Sequence, residues 1–200
     1  MKNSMLRQEL DWTLKTAVSV LDRVIRPRIS RAGIISTYEC NQMCKTCNIW
    51  SVNKKNPELK SKEMTVEEFR LFCSKNQDLM WLYFSGGEPS LKDGLGEFLR
   101  LACNLPRLKI INTSTNGQMP DVIVSAVKYA MSNTDLNIRF VVDVSLEGVG
   151  HTHDSITRTP GSFDSAVETY NKLVELAKND CRILPKFEYT VSKYNSGHLP

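Results

Sequence analysis

The feature that most constrains the fold is an alternation. Runs rich in β-branched and aromatic residues recur at Gly33–Tyr38, Met80–Phe84, Lys109–Ser114, Ile138–Ser145 and Lys186–Val191. Helical patterns fall between them. Thr65 and Glu68 have capping-box spacing and open a helix to about Asn76. Leu95, Phe98, Leu99 and Ala102 mark a second helix, and Val122, Ile123, Ala126, Val127 and Ala130 a third, with Pro120 near its start. Phe163, Ala166, Val167, Tyr170, Leu173, Val174 and Ala177 mark the fourth and longest of these. Strand, helix, strand, five strands deep, predicts an α/β fold of parallel βα units. No repeat or linker interrupts it, so residues 32–200 read as one core domain.

Residues 1–31 form a separate N-terminal helix and basic connector. Leu6, Leu10, Leu14, Val18, Leu21 and Ile25 make a helical stripe, Pro27 stops it, and Arg23, Arg26, Arg28 and Arg31 make its end basic. Such an amphipathic helix is able to lie on a membrane. Packing on the domain is the preferred reading, with the arginines favoured by the helix C-terminus.

Composition removes other classes. With 41% hydrophobic and 24% charged residues, the chain is neither disordered nor collagenous nor a coiled coil. A net charge of +4 is too mild to imply nucleic acid. No apolar run approaches the ~18 residues of a membrane span. Arg7, Glu9, Asp11 and Lys15 stand where a signal peptide would be apolar. Six cysteines are too sparse for a disulfide scaffold, and three of them lie within eight residues. That clustering points to metal in a reducing compartment, hence the cytoplasm.

In parallel βα folds, ligands gather at the C-terminal ends of the strands. The unusual residues fall there. Strand one runs into Cys40-Asn-Gln-Met-Cys44-Lys-Thr-Cys47 and strand two into Ser85-Gly86-Gly87-Glu88-Pro89. Strand three ends at Ser114-Thr115-Asn116-Gly117, and strand four at Ser145-Leu-Glu147-Gly148. Core packing does not require polar residues and glycine at every exit; a shared site does. Three thiolates on one loop can hold an iron–sulfur cluster with one iron left open. The same cysteines would also share one face of a helix, where buried thiols are commonplace, and zinc could use them with a histidine. Cys73, Cys103 and Cys181 lack ligand spacing and read as small apolar fillers. His151 and His153 fall in a polar loop that His153 caps or orients.

C-x3-C-x2-C after the first strand and Gly-Gly-Glu-Pro after the second resemble the radical S-adenosylmethionine (SAM) superfamily, from about Gly33 to Leu199. The resemblance implies an open partial TIM barrel of the (β/α)6 type, with a [4Fe–4S] cluster on Cys40, Cys44 and Cys47. The open iron would chelate the amino and carboxylate groups of SAM. One electron would then yield methionine and a 5′-deoxyadenosyl radical that takes hydrogen from a substrate. Gly86, Gly87 and Glu88 match the segment that meets the SAM amino group. Ser114, Thr115 and Asn116 match the exit beside its ribose and carboxylate. The run from Val144 to Asp164 resembles the branch of SPASM-type peptide-modifying enzymes and their molybdenum-cofactor relatives. There Ser145 would contact the ribose and Arg158 the carboxylate, a suitable bidentate partner for guanidinium.

Two positions depart from the pattern. Thr46 stands where many members place an aromatic residue against the adenine, and Glu147 where Asp is frequent. The family also implies a reductant such as flavodoxin or ferredoxin. It implies a sixth βα unit as well, so the chain is expected to be cut short and to continue by roughly 100 residues or more. The substrate stays open among peptides, cofactor precursors and lipid precursors. The alternatives are an electron-transfer or structural iron–sulfur protein, which needs no SAM pocket, and a structural zinc domain.

Overall fold

The computed structural model describes residues 2–25, 29–134 and 137–197, without the side chains of residues 2–6, 8, 19 and 22–25. Helix α1 spans Lys2–Ile25 and is followed by β1 (Arg31–Ile35), α2 (Ile49–Lys55) and α3 (Val66–Lys75). Then come β2 (Trp81–Ser85), α4 (Leu95–Cys103), β3 (Ile110–Thr115) and α5 (Pro120–Ser132). The chain continues through β4 (Arg139–Leu146), α6 (His151–Thr157), α7 (Ser162–Asn179) and β5 (Ile183–Tyr189). The five strands pair in parallel in sequence order. These are the five parallel βα units that the alternation predicts.

Alternation along the strands sorts the two faces of the sheet. Leu82, Phe84, Ile111, Phe140, Val142 and Val144 are fully buried beneath the helices, among Phe69, Phe98, Leu99 and Ile123. The other face is polar. Trp81 Nε1 donates to Asn112 Oδ1 (2.8 Å), Asn112 Nδ2 to Asp143 Oδ2 (3.3 Å), and Lys186 Nζ pairs with Asp143 Oδ1 (3.2 Å). A layer of two hydrogen bonds and one ion pair thus crosses four strands.

Local signals held at the capped helices. Thr65 and Glu68 form the full capping box on α3, and Pro120 opens α5 at its first turn. Elsewhere the structure departs from expectation. β1 leaves the regular ladder at Ile35, three residues before the predicted end at Tyr38, because the chain there turns into the cysteine loop. β5 starts at Ile183, ahead of the predicted Lys186. Phe140 N–H donates to Arg182 O and Thr190 N–H to Leu146 O, so alternate residues of β5 face β4. By that alternation the ring nitrogen of Pro185 faces the outer edge, where no donor is needed. The polar loop of His151 and His153 is instead α6.

Helix α1 lies across the N-terminal ends of the strands. Arg139, the first residue of β4, pairs with Glu9 and lies 5.2 Å from the Trp12 ring. The contact corrects the expected packing. Trp12 and Thr16 face the domain, while Leu10, Leu14, Val18 and Leu21 face outward and are exposed. Pro27, Arg26 and Arg28 lie outside the described residues.

Candidate iron–sulfur and SAM site

The site begins where hydrogen bonding between β1 and β2 runs on past both strands. Ser36 N–H donates to Ser85 O (2.8 Å), Gly87 N–H to Thr37 O (2.7 Å) and Glu88 N–H to Glu39 O (2.7 Å). Backbones this close leave no room for side chains. A Cβ on Gly86 would lie 2.3 Å from Thr37 O, and one on Gly87 1.9 Å from Glu39 O. Gly86 also has a φ of +144°, a conformation side chains rarely adopt. The glycines therefore fasten the cysteine loop to the β2 exit. Behind Thr37, its hydroxyl donates to Glu63, which pairs with Lys92 (3.0 Å), both almost fully buried.

Glu88 ties this pair to β3. Its carboxylate is 1% exposed and accepts from Ser90 N–H (3.0 Å), Ser90 Oγ (2.6 Å), Thr115 Oγ1 (2.7 Å) and Asn116 N–H (2.6 Å). Burial pushes its pKa up, and those donors offset part of the rise. A carboxylate has about four acceptor positions. Oε1 is fully engaged, so the capacity for an ammonium rests on Oε2. Asn116 reaches back to the cysteine loop, its Nδ2 donating to Asn41 Oδ1 (2.7 Å) and lying 4.0 Å from Cys40 Sγ.

Helix α6 closes the opposite wall. Met43 N–H donates to Thr157 O (3.3 Å) and Lys45 N–H to Ile156 O (2.8 Å), so the end of α6 docks on the cysteine loop. His153 Nδ1 accepts from Glu147 N–H (3.0 Å), and burial lowers the histidine's pKa. The ring is then neutral, with its proton on Nε2. Asp154 accepts from Gly161 N–H (2.7 Å), Phe163 N–H (2.8 Å) and Ser162 Oγ (3.0 Å), which anchors α6 to the start of α7.

Cys40, Cys44, Cys47, Gly86, Gly87, Glu88, Ser114, Thr115, Asn116 and Ser145 all line one cavity of about 140 Å³. Arg158 does not. It is exposed at the C-terminal cap of α6, the one non-glycine residue with positive φ (56°) among those described. Gln42, Thr46, Ile49, Glu147, His153 and Thr157 complete the lining. Thr46 Oγ1 donates to Glu147 Oε2 (3.4 Å), so this threonine does contribute to the wall. Sequence reasoning passed over Gln42, Ile49 and Thr157. Only Gln42 carried a signal, as an amide inside the C-x3-C loop.

The donor set fits a cluster with SAM beside it. Burial pushes the Cys44 thiol up to about 12 and raises Cys40 as well. Ligation must therefore supply the positive charge that holds them as thiolates. Among the described residues no three Cys, His, Asp or Glu side chains meet around one ion. A cluster asks for less convergence, since each thiolate binds a different iron. Gln42 Nε2 and His153 Nε2 are buried donors without a partner, on residues that line this cavity. An acceptor in the cavity would satisfy them.

The sequence pattern of the radical SAM superfamily matches residues 34–185, a span that includes every residue of the cavity. The chain belongs to the radical SAM superfamily. Superfamily members are enzymes that use a [4Fe–4S] cluster and SAM. Among solved structures, the radical SAM fold here superposes on hexahistidine-tagged anSMEcpe with bound AdoMet at a TM-score of 0.60 and 18% identity. That alignment covers 86% of this chain and 45% of the other. Native anSMEcpe with bound AdoMet gives 0.59 at 19%, covering 84% and 46%. The chain thus spans under half the length of these neighbours. No curated protein matches it in sequence. Among the described residues, no helix is long and apolar enough to cross a membrane.

Proposed function

We propose that this chain cleaves SAM reductively and hands the resulting radical to a polar substrate. The observation that carries the reading is the cavity itself. One cysteine loop, a glycine pair fixed against it and the exits of β3 and β4 converge there. Cys40, Cys44 and Cys47 would hold the cluster. When bound, the cluster would supply the electron that splits the SAM sulfonium into methionine and a 5′-deoxyadenosyl radical.

The protein's own part is to bind, orient and exclude water. Glu88 Oε2 offers an acceptor for the SAM ammonium, and Gly86 and Gly87 line the cavity beside it. Ser114, Asn116 and Ser145 offer hydroxyl and amide groups for ribose and carboxylate. Arg158 reaches the carboxylate only by turning inward from its exposed position, and is proposed to do so when SAM binds. Thr46 and Glu147 leave a polar wall where an aromatic would stack on adenine.

The polar layer of Asn112 and Asp143 lies two residues before Ser114 and Ser145 on the same strands and face, so the floor beneath the site suits a polar substrate such as a peptide. A related anSMEcpe structure holds AdoMet with the Cp18Cys peptide, at a TM-score of 0.52 and 17% identity. That likeness is one of fold. A reductant such as flavodoxin or ferredoxin, and a cytoplasmic setting, complete the proposal.

The test is anaerobic reconstitution, reduction with dithionite and chromatography of the SAM products. Methionine and 5′-deoxyadenosine in equal amounts are expected. A cluster that reduces and reoxidises while SAM stays intact would overturn the proposal and favour the electron-transfer alternative.

A further inference from the structure

The cysteine loop carries one buried amide that no role so far employs. Gln42 lies midway between Cys40 and Cys44, is 3% exposed and lines the cavity. Burying an amide is unfavourable unless its polar ends are paired. One end is: Oε1 accepts from the Cys44 thiol at 3.5 Å. The other end, Nε2, is buried without a partner. An apolar side chain of the same shape would fill the position without leaving that donor stranded.

Ligation reverses what Cys44 asks of this amide. Cysteine binds iron as thiolate, which accepts hydrogen bonds and has none to give. Oε1 would then face a negative sulfur. A half-turn about the last side-chain bond exchanges the two ends, which differ little in shape. Nε2 then donates to Cys44 Sγ, and the group left over is a carbonyl, which tolerates burial without a partner better than an N–H does.

The electrostatics of the loop give that donor a use. Glu88 acts on Cys40 and Glu147 on Cys44, and both oppose negative charge on sulfur. At Cys40 the main-chain N–H of Gln42 offsets this, with Asn116 Nδ2 4.0 Å away. At Cys44 the Gln42 side chain is placed to do the same. Hydrogen bonds to sulfur are among the factors that set a cluster's potential, because they favour the reduced, more negative state. We propose that the Gln42 side-chain amide donates to Cys44 Sγ and raises the reduction potential of the cluster. This rests on the reading that the three cysteines hold a cluster, but not on SAM cleavage. The competing acceptor for Nε2 is a group of bound SAM; the sulfur is favoured because the amide already lies against it.

The experiment is an EPR-monitored titration with dithionite of reconstituted protein without SAM, wild type against Gln42→Met and Gln42→Leu. Both replacements are apolar and donate nothing. The equilibrium constant for one-electron reduction should fall at least threefold, about 28 mV to more negative potential at about 59 mV per tenfold, with iron content unchanged. Pulsed EPR of reduced wild type carrying ¹⁵N in its glutamine side chains should show a coupling to the cluster. Should neither variant retain iron, that coupling decides. A smaller shift or a rise, absence of the coupling, or an unmoved potential with weakened SAM binding would each overturn the proposal, the last by assigning the amide to SAM. Failure to cleave SAM would bear only on the parent reading, whereas a wild type that takes up no cluster would overturn both.

Discussion

Gly87→Ala tests the central geometric argument. The added Cβ would fall 1.9 Å from Glu39 O, where contacts below 3.0 Å essentially never occur. Backbone must move by about an ångström, since Glu39 O is main chain and the Cβ is fixed to its own Cα, so neither is a flexible tip. That movement disrupts Gly87 N–H to Thr37 O and Glu88 N–H to Glu39 O, both 2.7 Å. Two hydrogen bonds at ~0.5–1.5 kcal/mol each, with overpacking strain of ~1–3 kcal/mol, give a loss of roughly 2–6 kcal/mol. Against a stability of about 5–15 kcal/mol, the variant should fold but be clearly weakened. Its cysteine loop should be displaced from Glu88. Urea unfolding of the metal-free protein measures the first effect, and iron content after reconstitution the second. Gly33→Ala is the control, because its Cβ would meet nothing within 4 Å on β1. It should be neutral or stabilise by up to ~1 kcal/mol. If Gly87→Ala matched wild type within ~0.5 kcal/mol and kept full iron, the stitched-loop argument would be wrong.

Three further outcomes follow from the site. Replacing Cys40, Cys44 or Cys47 singly with Ala should abolish the cluster, whereas Cys73→Ala, Cys103→Ala and Cys181→Ala should leave iron unchanged by colorimetric assay. Arg158→Ala should weaken SAM binding by ~1.5–3 kcal/mol with the cluster intact, and an unchanged dissociation constant would remove it from the SAM site. Burial raises the Asp154 carboxyl, but the donors from Phe163, Gly161 and Ser162 outweigh it and hold the pKa below the ordinary value. The stability it contributes is therefore full above about pH 4 and lost as pH falls through the lower folded value. Asp154→Asn should flatten the fall of the urea midpoint between pH 6 and 3, and an unaltered slope would show that this carboxylate is not the group responsible.

The strands were legible because buried parallel strands need runs such as Phe140–Val144, and no other element tolerates five of them at these spacings. Their exits were legible for a related reason, since glycine and polar residues there serve no core. α6 was not, because seven residues with three buried positions are too few to show a period. Its placement moved Thr157 and His153 into the cavity wall. Apolar spacing also announced that α1 has a stripe but not which side would meet the domain. Arg139 decided that, by taking Glu9 and the Trp12 ring. Arg158 marks the remaining gap. Its motif singled it out, but it stands exposed at the C-terminal cap of α6, outside the cavity, and no residue spacing could have shown that.

The stitching of the cysteine loop bears on how the protein endures. Carbonyls of Thr37, Glu39, Ile156 and Thr157 hold this loop and the glycine turn bonded to it, so protein contacts as well as metal fix its course. In a zinc finger the metal supplies the folding energy, and losing it unravels the chain. Here these hydrogen bonds are expected to keep the frame standing when oxygen strips the irons. Restoring the centre is then a matter of refilling, paced by the delivery of iron, sulfide and electrons rather than by renewed folding, and one polypeptide can outlast many of its clusters.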